Sequence, residues 1–288
     1  EISGREFERA AMVVPFEIEG IRDRFIAQLD LGSEGSVLYE NGLKNYFDSY
    51  PWLRAKIDSS RSVYFDENRV YEFKDIVLKM GSSYVWHRNT YVMVGFGDEV
   101  PKDSVGSMVP KHIGTIGRDL FRDNILILDY PGKRLCMVDA LGDDQLRQFD
   151  TLDISIEVVG GIKMPIKLGD ELHYVMFDTG SSIFPLLMAD SLEWSRVADL
   201  TSNDIDTLLI HSWGRLIPIP GAPVKNDVSI SVADKNVSDK IRVYYWPIQG
   251  EFFREENLLG IMGNVFFLND VVMIDFKNNR LGILRRKT

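Results

Sequence analysis

The chain has 288 residues, of which 45% are apolar and 26% charged, and its net charge at pH 7 is −10. This composition is typical of a folded globular protein, and the length allows one large domain or two medium ones. The acidic balance argues against a nucleic-acid partner, because phosphate binding needs clustered Lys and Arg. No apolar run approaches the roughly 20 residues of a membrane helix, so we expect no membrane span.

Short segments rich in β-branched and aromatic residues follow one another along the chain, separated by Gly, Asn, Asp or Pro. The strands predicted most clearly are residues 13–18, 25–29, 91–94, 153–158, 228–232 and 241–245. Short helices are predicted at residues 37–46 and 186–195 and directly after Gly117 and Gly263. The sequence therefore predicts an all-β protein with a few short helices.

Cys136 is the only cysteine, which excludes an intrachain disulfide. It lies between Leu135 and Met137, and we expect a buried, unreactive thiol in a terminal strand. The spacing of the four histidines fits no metal site, so we expect no metal. The chain begins at Glu1 and not at Met, which predicts a processed or trimmed product.

Three elements occur twice, in the same order and 146 to 148 residues apart. In the first, an apolar strand runs into Asp30-Leu31-Gly32-Ser33 and again into Asp178-Thr179-Gly180-Ser181-Ser182. The second is Gly-Thr-Ile-Gly at residues 114–117 and Gly-Ile-Met-Gly at 260–263. The third covers residues 125–135 and 271–281. We predict two homologous halves, residues 1–144 and 145–288, with the boundary in the polar stretch 141–145.

These paired elements resemble those of the bilobal pepsin-like aspartic proteases, each lobe of which is similar to a retropepsin subunit. Residues 178–181 match the Asp-Thr-Gly-Ser signature of that family, and the resemblance extends over both halves. It implies two lobes of the acid-protease, closed β-barrel type, and an aspartic endopeptidase that needs no cofactor. It also implies an extended polypeptide substrate and a monomer, since one chain supplies both lobes.

The chemistry of two aspartates agrees with this resemblance. Two carboxyl groups held a few ångströms apart share one proton, so one can activate water while the other protonates the leaving amine. We therefore assign Asp30 and Asp178 jointly as the catalytic pair. The alternative is that both are turn residues, which is the common meaning of Asp-x-Gly in a sequence.

The residues around each aspartate are expected to support its loop. Gly32 and Gly180 allow close approach of the backbone. The hydroxyls of Ser33 and Ser181 can orient the carboxylates. The resemblance implies that Thr179 forms a hydrogen bond that joins the two loops.

The first half departs from the family pattern, because Leu31 stands where the family has Thr. An isobutyl group cannot donate a hydrogen bond, so half of the reciprocal contact is missing. This leaves open a catalytically inactive peptide-binding protein of the same fold, and a protease fold used only as a structural scaffold.

Two predicted hairpins are candidates for a flap that closes over substrate. One covers residues 208–219, with Trp213 and Gly214 at its turn, and the other covers residues 61–71. Trp213 can either grip an apolar side chain of the substrate or pack within its own lobe. The family resemblance and the lack of disulfides suggest a bacterial relative, and we expect an exported location, periplasmic or in the cell envelope, in preference to the cytoplasm.

Overall fold

The computed structural model describes residues 7, 10–65, 67–81, 84–233, 235–237 and 241–285. Strands account for 47% of the structure and helices for 17%, which confirms a mostly β protein. The chain divides into two compact units. We call Ala11–Leu120 the N-terminal unit, and Phe121–Thr288, together with Glu1–Ala10, the C-terminal unit.

The N-terminal unit begins with a strand whose side chains alternate between solvent and core. Val14, Phe16 and Ile18 are buried, and the residues between them are exposed. This period of two is what a strand with one buried face requires. The elements described in this unit are β1 (Val13–Ile18), β2 (Phe25–Leu29), β3 (Val37–Tyr39), α1 (Glu40–Ser49), α2 (Pro51–Ala55), β4 (Ile57–Phe65), β5 (Asn68–Met80), β6 (Tyr84–Met93) and β7 (Lys111–Ile116).

Six of these strands form a closed barrel in the described residues. The order is β1-β2-β7-β3-β6-β5, and β1 pairs again with β5 to close it, while β4 extends the sheet beyond β5. Closure removes exposed sheet edges and surrounds an apolar interior.

The C-terminal unit contains more and shorter elements. Those described are β8 (Ile125–Asp129), β9 (Arg134–Val138), α3 (Asp143–Leu146), β10 (Phe149–Asp153), β11 (Ser155–Glu157), β12 (Gly161–Leu168), β13 (Glu171–Phe177), β14 (Leu186–Met188), α4 (Ser191–Val197), β15 (Asp206–Ser212), β16 (Arg215–Pro223), β17 (Ile230–Val232), β18 (Lys235–Asn236), β19 (Arg242–Tyr245), α5 (Gly250–Glu255), β20 (Gly260–Met262), β21 (Val271–Asp275) and β22 (Arg280–Leu284).

The main sheet of the C-terminal unit repeats the strand order of the N-terminal unit. Its order β12-β13-β20-β14-β19-β16-β15 matches β1-β2-β7-β3-β6-β5-β4 position by position. The parallel pairs also correspond, since β2–β7 and β3–β6 are parallel, as are β13–β20 and β14–β19. The closure differs, because β12 pairs with β17 where β1 pairs with β5.

A separate five-stranded sheet in the C-terminal unit has the order β10-β22-β21-β8-β9. It includes β8 and β9, which the sequence repeat assigns to the first half of the chain. The homologous halves 1–144 and 145–288 stay a prediction. The two compact units are defined by contacts within the fold, whereas the two halves are defined by the sequence repeat.

The structure corrects two details of the sequence analysis. Residues 37–39 and 186–188 were expected to begin helices but form β3 and β14, because each lies between two strands that supply hydrogen bonds on both sides. The expectation that Cys136 is buried was wrong. It lies in β9, an edge strand of the five-stranded sheet.

No helix among the described residues is long and apolar enough to cross a membrane.

Candidate functional site

Asp30 follows β2 at the point where this strand ends beside β7. Its backbone N–H donates to the carbonyl of Ile116, at 3.0 Å, and so continues the parallel pairing by one residue. The N–H of Ser33 donates to Oδ1 of Asp30, at 2.9 Å, and to the main-chain oxygen of Asp30, at 3.2 Å. The carboxylate is therefore held by a tight turn in the N-terminal unit.

The other predicted residues of this turn have different partners. The Ser33 hydroxyl donates to the carbonyl of Gly35, at 2.8 Å, and so is not directed at the aspartate. The Leu31 side chain is fully buried. The carbonyl of Gly32 accepts from Nη1 of Arg118, at 3.2 Å. Arg118 is itself buried and follows the repeated Gly117.

The surroundings of Asp30 include a pair of buried hydroxyls. Tyr39 Oη and Thr115 Oγ1 lie 2.5 Å apart. Burial raises the pKa of the Tyr39 phenol, and the charge of Asp30 raises it further against the hydrogen bond with Thr115, which lowers it. The Tyr39 hydroxyl thus stays protonated and lies within electrostatic range of the carboxylate.

Asp178 follows β13 and occupies the corresponding place in the C-terminal unit. Its N–H donates to the carbonyl of Met262, at 2.9 Å. Both carboxylate oxygens accept hydrogen bonds, Oδ1 from the N–H of Gly180 at 2.7 Å and Oδ2 from the hydroxyl of Ser181 at 2.8 Å. The residue is 8% exposed. The structure thus brings Asp178, Gly180 and Ser181 together as one hydrogen-bonded turn.

Thr179 is fully buried in this turn, and its carbonyl accepts two hydrogen bonds from side chains. One comes from Nδ2 of Asn264, at 3.0 Å, and the other from the hydroxyl of Ser182, at 2.7 Å. Asn264 follows the repeated Gly263 as Arg118 follows Gly117. Sequence reasoning missed both side chains, although their shared position after a repeated glycine was a usable signal.

The repeated glycines lie directly against the aspartate turns. A Cβ at Gly263 would lie 2.0 Å from the carbonyl oxygen of Ser181, and a Cβ at Gly117 would lie 2.6 Å from the carbonyl oxygen of Gly35. These are backbone atoms with little freedom to move. Each unit therefore needs glycine at this position to pack its strand end against its aspartate turn.

Trp213 and Gly214 form the two-residue turn of the β15–β16 hairpin. Their φ angles are 48° and 85°, as a type I′ turn requires, and seven residue pairs connect the two strands. The other predicted hairpin, residues 61–71, corresponds to the paired ends of β4 and β5. Its residue Asp66 lies outside the described part of the chain.

No family model matches this chain, and no curated protein is significantly similar to it.

Proposed function

We propose that the chain is an aspartic endopeptidase related to the bilobal pepsin-like and retropepsin-like proteases. The observation that carries the proposal is the repetition of one arrangement in both units. In each, an aspartate directly follows a strand, β2 or β13, and accepts a hydrogen bond at Oδ1 from a backbone N–H of its own turn. A glycine from the partner strand packs against that turn.

In this proposal the two carboxyls act as a pair that shares one proton. The ionised aspartate takes a proton from water, which attacks the scissile carbonyl. The protonated aspartate hydrogen-bonds the carbonyl oxygen and then protonates the leaving amine. Asp178 accepts two hydrogen bonds, from the N–H of Gly180 and from the hydroxyl of Ser181, and these fix the orientation of its carboxylate.

The substrate in this proposal is an extended polypeptide that lies under the β15–β16 hairpin. An extended peptide offers its backbone groups for strand-like hydrogen bonds, so side-chain pockets set the cleavage preference. Trp213 at the turn would contact a substrate side chain. The location expected from the family resemblance is exported, and the assembly expected is a monomer.

The experiment is hydrolysis of casein from about pH 3 to 8, with protein shown by circular dichroism to be folded at each pH. Wild type is compared with Asp30→Asn and Asp178→Asn, which should each abolish cleavage. Asp129→Asn is the matched control, because Asp129 is also a repeated aspartate but accepts from Gly132 and Arg134 in a surface turn. Cleavage that survives in both Asp30→Asn and Asp178→Asn would refute the aspartic mechanism.

A second candidate function is peptide binding without catalysis, and the burial of Leu31 favours it. The Leu31 side chain offers no hydroxyl to hold the first turn. This alternative predicts that folded wild type binds a peptide-like aspartic-protease inhibitor but cleaves nothing, and that Leu31→Thr creates activity. Hydrolysis by wild type, abolished by either dyad substitution, would exclude it. A pure scaffold would bind no such inhibitor at any pH.

A further inference from the structure

Tyr130 directly follows β8, near the start of the C-terminal unit. Its side chain contacts a residue near the other end of that unit's sequence. Its hydroxyl donates to Oδ1 of Asn264, at 2.6 Å, across 134 residues of chain. Tyr130 is 7% exposed and Asn264 2% exposed. Burial raises the pKa of the Tyr130 phenol, so the hydroxyl remains a donor throughout the working range of an aspartic protease.

The bond from Tyr130 determines which way the Asn264 amide faces. An amide has one accepting oxygen and one donating nitrogen, so a donor at the oxygen leaves the nitrogen to point the other way. Nδ2 of Asn264 then donates to the carbonyl of Thr179, at 3.0 Å, and lies 3.0 Å from the hydroxyl of Ser182. Without the Tyr130 hydroxyl, the buried Asn264 oxygen loses this partner.

The Thr179 carbonyl belongs to the same peptide group as the N–H of Gly180. A peptide group is planar, so fixing its oxygen also fixes the direction of its N–H. That N–H donates to Oδ1 of Asp178, at 2.7 Å. Three hydrogen bonds therefore follow in series, from the Tyr130 hydroxyl through Asn264 and the Thr179–Gly180 peptide to the Asp178 carboxylate, and bonds in such a series polarise one another.

The repeat counterparts of Tyr130 and Asn264 are Phe276 and Arg118, and they do not carry the same groups. Phe276 follows Asp275 as Tyr130 follows Asp129, but its ring has no hydroxyl and stacks on Phe121, with centroids 6.0 Å apart. In place of Asn264 the first repeat has Arg118, whose Nη1 lies 3.5 Å from the Leu31 carbonyl. The series of bonds thus joins Tyr130 of the first repeat to Asn264 and Asp178 of the second, and the repeat counterparts of Tyr130 and Asn264 do not carry the groups that form it.

We propose that Tyr130 and Asn264 are positioning residues that hold the Gly180 N–H on the Asp178 carboxylate. The effect of Tyr130 and Asn264 on catalysis rests on the proposed function. The hydrogen-bond series itself is a separate claim about the C-terminal unit.

The test compares Tyr130→Phe with wild type and with Tyr46→Phe. Tyr46 is a matched control, because its buried hydroxyl also donates to a side chain, the carboxylate of Asp23, within the N-terminal unit. Tyr130→Phe should lower kcat roughly tenfold with KM within about twofold, since small displacements of reacting groups are costly. Tyr46→Phe should lower thermal stability and leave kcat at the wild-type value.

The amide proton of Gly180, observed by NMR in isotope-labelled protein, gives a readout that needs no activity. A hydrogen bond to a carboxylate moves this resonance downfield, so we expect an upfield shift in Tyr130→Phe and none in Tyr46→Phe. If wild type hydrolyses no peptide, the proposed function fails while this shift still decides the positioning role. An unchanged Gly180 resonance in folded Tyr130→Phe overturns the inference. If Tyr130→Phe does not fold, Asn264→Ala, which removes the donor to Thr179, is measured in the same way.

Discussion

Ile127 lies opposite Met273 in the antiparallel pair β8–β21, and the same two residues are counterparts in the 146-residue repeat. Pairing is mirrored on either side, with Val271 opposite Asp129 and Asp275 opposite Ile125. The two copies of this strand are thus related by a local two-fold axis through Ile127 and Met273. Isologous pairing of this kind is what a duplicated element forms with its own copy.

Ser181→Ala should impair catalysis more than Ser33→Ala. The Ser181 hydroxyl donates to the Asp178 carboxylate, whereas the Ser33 hydroxyl donates to a backbone carbonyl. Hydrogen bonds to charged groups contribute about 1.5–3 kcal/mol, so we expect kcat to fall about tenfold or more in Ser181→Ala. Steady-state kinetics on a peptide substrate measure the difference. Equal effects of the two substitutions would contradict this distinction between the turns.

Gly263→Ala should destabilise the protein strongly. The new methyl group would lie 2.0 Å from the Ser181 carbonyl oxygen and 2.5 Å from that of Phe184. Both are backbone atoms, in the Asp178 turn and the segment that follows it, so this backbone must move, at a cost of about 3 kcal/mol. Urea unfolding measures the loss. Gly35→Ala is the control, because a Cβ at Gly35 meets nothing within 4 Å, and its stability should match wild type.

Lys111→Met should destabilise the N-terminal unit. Lys111 Nζ lies 2.8 Å from Oδ2 of Asp23, and both side chains are almost fully buried. Removing one partner leaves the other charge buried without compensation, which costs about 3–5 kcal/mol. Chemical denaturation near pH 7 measures this. Lys44→Met, which breaks an exposed ion pair with Glu99, should leave the free energy of unfolding close to that of wild type.

The contribution of Asp23 to stability should disappear in acid. Burial raises the pKa of Asp23, but hydrogen bonds from Lys111, Tyr46 and the N–H of Gly106 outweigh it and hold the pKa below its ordinary value of 3.8. A lowered folded-state pKa stabilises the folded protein above the unfolded value, and this is lost as pH falls through the lowered pKa. The difference in unfolding free energy between wild type and Asp23→Asn should therefore shrink below about pH 4. A difference that grows in acid would contradict this sign.

Trp213→Asn should keep the conformation of the β15–β16 turn but remove the side chain that is proposed to contact substrate. Trp213 has φ 48°, a left-handed conformation that costs most residues about 1 kcal/mol but suits Asn. The free energy of unfolding should therefore stay within about 1 kcal/mol of wild type, while KM for a peptide rises several-fold through loss of the indole. Leu216→Asn, on an exposed position of the same hairpin, is the control. An unchanged KM in Trp213→Asn would show that the turn does not contact substrate.

The sequence by itself determined the strands and turns whose residue types are distinctive over a few neighbouring positions. The β-branched and aromatic residues of 13–18 predicted β1 with its full bounds, and the apolar run before Asp30 predicted β2. The repeated Asp-x-Gly elements, together with the repeated Gly117 and Gly263, predicted both aspartate turns. These signals are local, because strand alternation and turn chemistry depend on neighbours in the chain.

Tertiary structure decided what depends on partners far away in the chain. Residues 37–39 form a strand because β6 and β7 flank them, although their local pattern favoured a helix. Cys136 is exposed because it lies in β9, an edge strand whose described residues are all exposed or half-buried. Tyr130 supports the Asp178 turn because folding brings it to Asn264, 134 residues further along. Hydrogen bonds and burial of this kind form between side chains that only the packed fold brings together, and no local pattern encodes them.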